Sequence, residues 1–237
     1  TIETPTYELK LPSSNKKVKY RPFLVKEEKV LIIALESKNS SDITNAVTEV
    51  LKKCILTKGI VVDELPTFDI EYLFLNIRSK SIGEDIKITV TCPDDNETKV
   101  PVTIYVDEIK VVRQKGHSTD IPLDDKMTLR MKYPSLNQFI ETNFETSDGS
   151  ETVVEKTFKV VANCMDTIFT GEEAWDAKDY TPSERMDFVE QLNSSQYKKV
   201  ENFFSTMPKL SHTIEVINPN TKKKGSVVLE GLADFFG

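Results

Sequence analysis

The stretch 68–77 constrains this chain most. Seven of its ten residues are large and apolar: Phe68, Ile70, Tyr72, Leu73, Phe74, Leu75 and Ile77. They follow Pro66, which a helix tolerates in its first turn, and precede Arg78 and Gly83. So many apolar side chains cover more than one side of a helix. The segment must therefore be buried on most of its faces, inside its own domain or against a partner. It is expected to form the centre of the N-terminal half, and Phe74 is a candidate partner contact.

The surrounding elements follow from periodicity. Tyr7, Leu9 and Leu11 alternate with polar residues, as do Val18 and Tyr20 after the turn at 12–15, which predicts a hairpin. From Leu24 the period lengthens, and Val25, Val30, Ile33 and Ala34 are expected to share the inner side of a helix ending near 38. A second helix is expected behind Ser41 as N-cap, with Ile43, Ala46, Val47, Val50, Leu51 and Cys54 on its stripe. Ile86, Ile88, Val90 and Cys92, then Val100, Val102, Ile104 and Val106, alternate around a polar turn and predict a second hairpin, followed by a strand at 109–112.

The Gly- and polar-rich break at 115–120 divides the chain into 1–115 and 116–237. Beyond it the pattern predicts a strand at 127–133, a short helix at 136–140 and a helix at 153–169. Trp175 is expected in an acidic loop, as a lid on the local core rather than an anchor for a partner. Thr181-Pro182-Ser183-Glu184 is a helix start in which Thr caps, Pro takes the first position and Glu reaches back. Met186, Phe188, Val189 and Leu192 would face inward from that helix, and Tyr197, Val200, Phe203 and Phe204 from the next. A last hairpin is expected from His212, Ile214 and Val216 to Val227 and Leu229.

The fold class is therefore α+β, with helices packed on small antiparallel β-hairpins in two helix-then-hairpin units. Pro93 and Pro219 each open a polar turn, one tip carrying Asp94, Asp95 and Glu97, the other Lys222, Lys223 and Lys224.

Most recognisable chemistry is missing from the sequence. The eight glycines are never closer than six positions, which excludes dinucleotide-binding, P-loop and nucleophile-elbow spacings. Cys54, Cys92 and Cys164 are isolated from one another, His117 and His212 stand alone, and neither a CxxC pair nor an HExxH helix occurs. The thiols read as small buried hydrophobes, and the adjacent acids Asp94-Asp95, Asp124-Asp125 and Glu172-Glu173 as solvated turn residues. Neither a catalytic site nor a cofactor or metal is expected, the rival reading being a cryptic Cys or carboxylate hydrolase. A net charge of −7 disfavours nucleic acid as a partner. An odd cysteine count, no recognisable secretory leader and no long apolar run predict a reducing cytosol without membrane insertion. The remaining candidate partner contacts are the Lys222-Lys223-Lys224 tip, which suits an acidic protein surface, and the terminal Phe235 and Phe236, which tuck back onto the chain or insert into another subunit.

Several segments carry a resemblance. Thr4-Pro5-Thr6-Tyr7-Glu8-Leu9, Tyr20-Arg21-Pro22-Phe23-Leu24-Val25-Lys26-Glu27-Glu28-Lys29, the run from Leu65-Pro66-Thr67-Phe68 to Ser79-Lys80-Ser81-Ile82-Gly83, and Leu229-Glu230-Gly231-Leu232-Ala233-Asp234-Phe235-Phe236 resemble the T4-like bacteriophage baseplate hub and assembly protein family. The resemblance implies a non-enzymatic role in the central hub of a contractile tail's baseplate, as structural component or assembly factor. The implied partners are other hub proteins and possible further copies of the chain, met in the host cytoplasm during assembly and then in the virion. Hairpins of the family can begin with Cys-Pro and carry a second Cys, which implies a zinc knuckle. Here Cys92-Pro93 is followed by Asp94 and Asp95, and the last hairpin has Asn218-Pro219 without Cys, so these hairpins are expected to hold by packing alone.

Overall fold

The computed structural model describes residues 2–37, 39–136, 138 and 152–234. The chain forms two compact units, Thr1–Val112 with Pro208–Gly237, and Arg113–Met207. The boundary after Val112 lies close to the expected break. The terminal hairpin nevertheless belongs to the first unit rather than to 116–237, because its first strand finds its hydrogen-bonding partner there.

In the first unit, β1 (Tyr7–Lys10) and β2 (Lys17–Tyr20) pair antiparallel with Leu9 opposite Val18. Val18 and Tyr20 are almost fully buried. The connecting turn is tied to the interior through Ser13, whose backbone N–H donates to buried Asp69 at 3.0 Å and whose hydroxyl also bonds that carboxylate. Helix α1 (Val25–Ser37) then leads to α2 (Ser40–Cys54). Asn39, not Ser41, caps α2, its side chain accepting from the Asp42 N–H. Ile43, Ala46, Val50, Leu51 and Cys54 are buried as expected, while Val47 is only half-buried.

The inner face of α1 differs from expectation. Ala34 is buried, together with Leu31 and Glu27, while Val25 and Ile33 are exposed. An ion pair selects this phase. Arg21 grips Glu27 through two hydrogen bonds of 2.8 and 2.6 Å, and Glu27 also accepts from the Leu24 N–H at 2.8 Å. The Arg21 guanidinium, with the Leu24 N–H, holds the Glu27 carboxyl below the usual carboxylate range. A buried carboxylate so paired is tolerated where an isolated one is not.

Helix α3 (Thr67–Ile82) is wrapped on most sides. Phe68, Ile70, Leu73, Phe74, Leu75 and Ile77 are all buried. Pro66 sits at its N-cap, and Gly83, at φ 125°, ends it. Strands β3 (Asp85–Thr91) and β4 (Lys99–Tyr105) form the second hairpin, with Ile86, Ile88, Val90 and Ile104 inward. β5 (Lys110–Val112) pairs antiparallel with the strand that returns from the second unit.

The second unit is built on a four-stranded antiparallel sheet, β6 (Asp120–Pro122), β7 (Met127–Met131), β8 (Met165–Thr170) and β9 (Glu173–Asp176), in sequential order. Helices α4 (Val153–Asn163), α5 (Pro182–Glu190) and α6 (Ser194–Thr206) accompany it. Its core joins Leu129, Met131, Val161, Cys164, Met165, Val189, Val200 and Phe203.

The helix expected over 153–169 ends at Asn163, and the chain continues as strand β8. Met165 and Ile168 fit helical spacing, but Thr167-Ile168-Phe169-Thr170 is rich in β-formers, and β8 is paired on both edges. Trp175 lies on β9 opposite Ile168 rather than in a loop. The Thr181–Glu184 capping box forms as expected, Thr181 accepting from the Glu184 N–H and Glu184 accepting from the Thr181 N–H at 2.8 Å. The helix expected at 136–140 falls largely outside the described residues.

The chain returns to the first unit as β10 (Lys209–Ile217), which lies between β5 and β11 (Lys224–Glu230), and ends its described part in the short α7 (Gly231–Asp234). The preceding helix α6 therefore sits in one unit and this hairpin in the other, so the second expected helix-then-hairpin pair is not one compact body.

Candidate partner-binding site

Two hairpin tips of the first unit meet. Cys92 after β3 and Asn218 after β10 occupy corresponding places, each followed by proline and each closing its turn four residues on. The Asn96 N–H donates to the Cys92 carbonyl at 2.9 Å, and the Lys222 N–H to the Asn218 carbonyl at 2.8 Å. Both closing residues take left-handed backbone, Asn96 at φ 56° and Lys222 at φ 63°. Asparagine adopts that conformation more readily than lysine does.

Asn218 is buried and its side-chain amide donates both to Asp94 at 3.0 Å and to Asp95 at 2.7 Å. The Thr221 hydroxyl donates to Asp94 at 2.6 Å, and the Asn220 amide to the Thr98 hydroxyl at 3.1 Å. Asp95 further accepts from the N–H groups of Glu97 and Thr98 and from the Thr98 hydroxyl. These donors, Thr98 foremost, hold the Asp95 carboxyl far below its usual range, and Thr221 with Asn218 lowers Asp94. Gly225 also packs against the Pro93 ring. A Cβ on Gly225 would lie 2.6 Å from Pro93 Cγ, so only glycine allows the approach.

The expectation of packing alone is thus corrected: a polar clasp joins the tips, and Asp94 and Asp95 are its acceptors rather than free turn residues. A zinc knuckle does not fit this place. Cys92 is the thiol of one tip, while the other offers Asn218, whose amide is already engaged. Among the described residues no three His, Cys, Asp or Glu side chains are grouped to hold a metal ion.

The candidate contact residues have different fates. Lys222, Lys223 and Lys224 project as exposed side chains from the clasped tip. Phe74 is 5% exposed and packs on Phe23 with ring centroids 5.5 Å apart, so it serves the interior of the unit and is removed from the set. Phe235 and Phe236 lie outside the described residues. The outward face of α1, carrying Val25, Ile32 and Ile33, was missed. Its signal was present, since apolar residues occur in α1 at more phases than one face can bury.

The three thiols are fully buried. Burial pushes Cys54 and Cys164 up to about 12, and burial with the nearby Asp94 and Asp95 raises Cys92. Thiolate is the nucleophilic form, so these groups are held in the unreactive one. In the second unit a pocket of about 430 Å³ is lined by Met127, Met165, Ile168, Trp175, Tyr180 and Phe188. Glu184 at its edge is engaged in the α5 cap. No helix among the described residues is long and apolar enough to cross a membrane.

The molecule these features define is an α+β protein in which a polar clasp joins two hairpin tips of the same unit. The chain belongs to the T4 bacteriophage base plate protein family, whose model matches residues 4–237 and so spans both units. It is a phage baseplate protein. No curated protein and no solved structure matches it.

Proposed function

We propose that this protein acts in the central hub of the baseplate of a contractile tail, binding other hub proteins as a structural component or as an assembly factor. The observation that carries this reading is the family match across residues 4–237, together with the hub-like segments at 4–9, 20–29, 65–83 and 229–236. Lys222, Lys223 and Lys224 would meet an acidic neighbour, with the clasp to Asp94 and Asp95 fixing the direction of the tip. Phe235 and Phe236 would add an apolar contact. The role needs no catalytic step, and the protonated, buried cysteines agree with that. Assembly takes place in the host cytoplasm before the tail is complete.

Mass spectrometry of baseplate intermediates and of finished particles from infected cells tests the proposal. The chain should accompany hub proteins in the intermediates. Persistence in finished tails makes it a component, and loss from them makes it an assembly factor. Absence from both overturns the hub reading.

A further inference from the structure

We infer that the outward face of α1 is a contact between two copies of this chain, with the two helices paired antiparallel. α1 turns Glu27, Leu31 and Ala34 inward. On the opposite side, at helical spacing, stand Val25, Lys29, Ile32, Ile33 and Glu36. Val25 is 83% exposed, Ile32 49% and Ile33 55%, with Val30 and Leu35 exposed on the flanks. Single exposed apolar residues are ordinary, but a contiguous set on one helix marks a surface that another surface covers.

The order of charges along this face selects the occupant. Lys29 and Glu36 lie equally far from the midpoint between Ile32 and Ile33, one on each side, and carry opposite signs. Neither forms an ion pair among the described residues. When a second α1 is turned end for end about that midpoint, each Lys29 faces the second copy's Glu36. The four isoleucines then pack around the two-fold axis. Parallel pairing would instead oppose Lys29 to Lys29 and Glu36 to Glu36. The face is therefore self-complementary in one direction only, which is the requirement of a closed two-fold contact. This inference stands apart from the hub reading, since a monomer can also act in a baseplate.

Sedimentation velocity of the full chain over a concentration series tests it. The wild type should show a reversible monomer–dimer equilibrium. Lys29→Glu and Glu36→Lys should each weaken dimerisation about tenfold, because two attractive pairs become repulsive. The double variant should return to within about threefold of wild type, since the two changes are coupled across the contact. Ile32→Asp should leave a folded monomer by circular dichroism. A chain monomeric up to about 100 μM, in the affinity range of the weakest specific contacts, overturns the inference. So does a dimer indifferent to these changes, or a double variant that does not recover.

Discussion

Asn218 is the residue on which the clasp turns. Its amide crosses from one tip to the other and supplies donors to two adjacent carboxylates there, Asp94 and Asp95. Asn218→Ala should lower stability by about 1 kcal/mol in chemical denaturation, because a buried residue loses the hydrogen bonds that join the tips. Asn218→Asp should cost more, since it places a third acid beside Asp94 and Asp95. A variant as stable as wild type would mean that the tips hold by other contacts. Gly225→Ala should destabilise by about 1–3 kcal/mol through the collision with Pro93. Lys222→Asn should do the reverse, raising stability by about 0.5–1 kcal/mol by relieving the left-handed lysine. Neither the clasp nor its asparagine was legible in the sequence. Alternation revealed both hairpins, but nothing in a period-2 pattern says which two tips meet.

Elements are legible in the sequence where one face contrasts with the other and obscure where it does not. α2 and β3 show clean contrast, and their buried residues are those expected. α1 holds Val25, Val30, Leu31, Ile32, Ile33, Ala34 and Leu35, so periodicity offered several equally good faces. A glutamate bound by Arg21 then selected the phase. β8 was hidden for a different reason, since its apolar residues continue the helical spacing of α4 and only pairing on both edges makes it a strand.

A pH prediction also belongs to this scale, because His117 joins three elements. Its Nδ1 lies 2.8 Å from the Thr206 hydroxyl and its Nε2 2.9 Å from the Tyr133 hydroxyl. Thr206 donates its own proton to the Asn202 carbonyl, so Nδ1 carries the hydrogen and Nε2 accepts from Tyr133. Burial, reinforced by Arg113, lowers the His117 pKa below its ordinary 6.5. The neutral ring thus contributes stability that is fully present above pH 6.5 and is lost as pH falls below that value toward the folded-state pKa. The melting temperature of the second unit should fall between about pH 7 and pH 5, and a His117→Asn variant should lack that step. Equal slopes in both proteins would refute it.

The whole molecule is two units whose chain order is first, second, first. The ends of the second unit are held together: besides the His117–Thr206 bond, the Gln114 amide donates to the Ser205 carbonyl at 3.4 Å. A segment with joined ends and its own core should fold alone. The fragment Arg113–Met207 is therefore expected to unfold cooperatively on heating, and a fragment without a transition would contradict this. The break near 115 was legible because glycine and polar residues mark it. The return of 208–237 to the first unit was not, because strand pairing between β5 and β10 joins residues about a hundred positions apart.

The central claim is that this chain works through its surfaces and not through its thiols. The most direct measurement is phage yield from cells in which the gene is replaced by variants shown to fold. Lys222, Lys223 and Lys224 changed together to Glu should abolish or sharply reduce yield, while Cys92→Ser and Cys164→Ser should assemble particles normally. Folded cysteine variants that fail, beside lysine variants that assemble normally, would contradict the account.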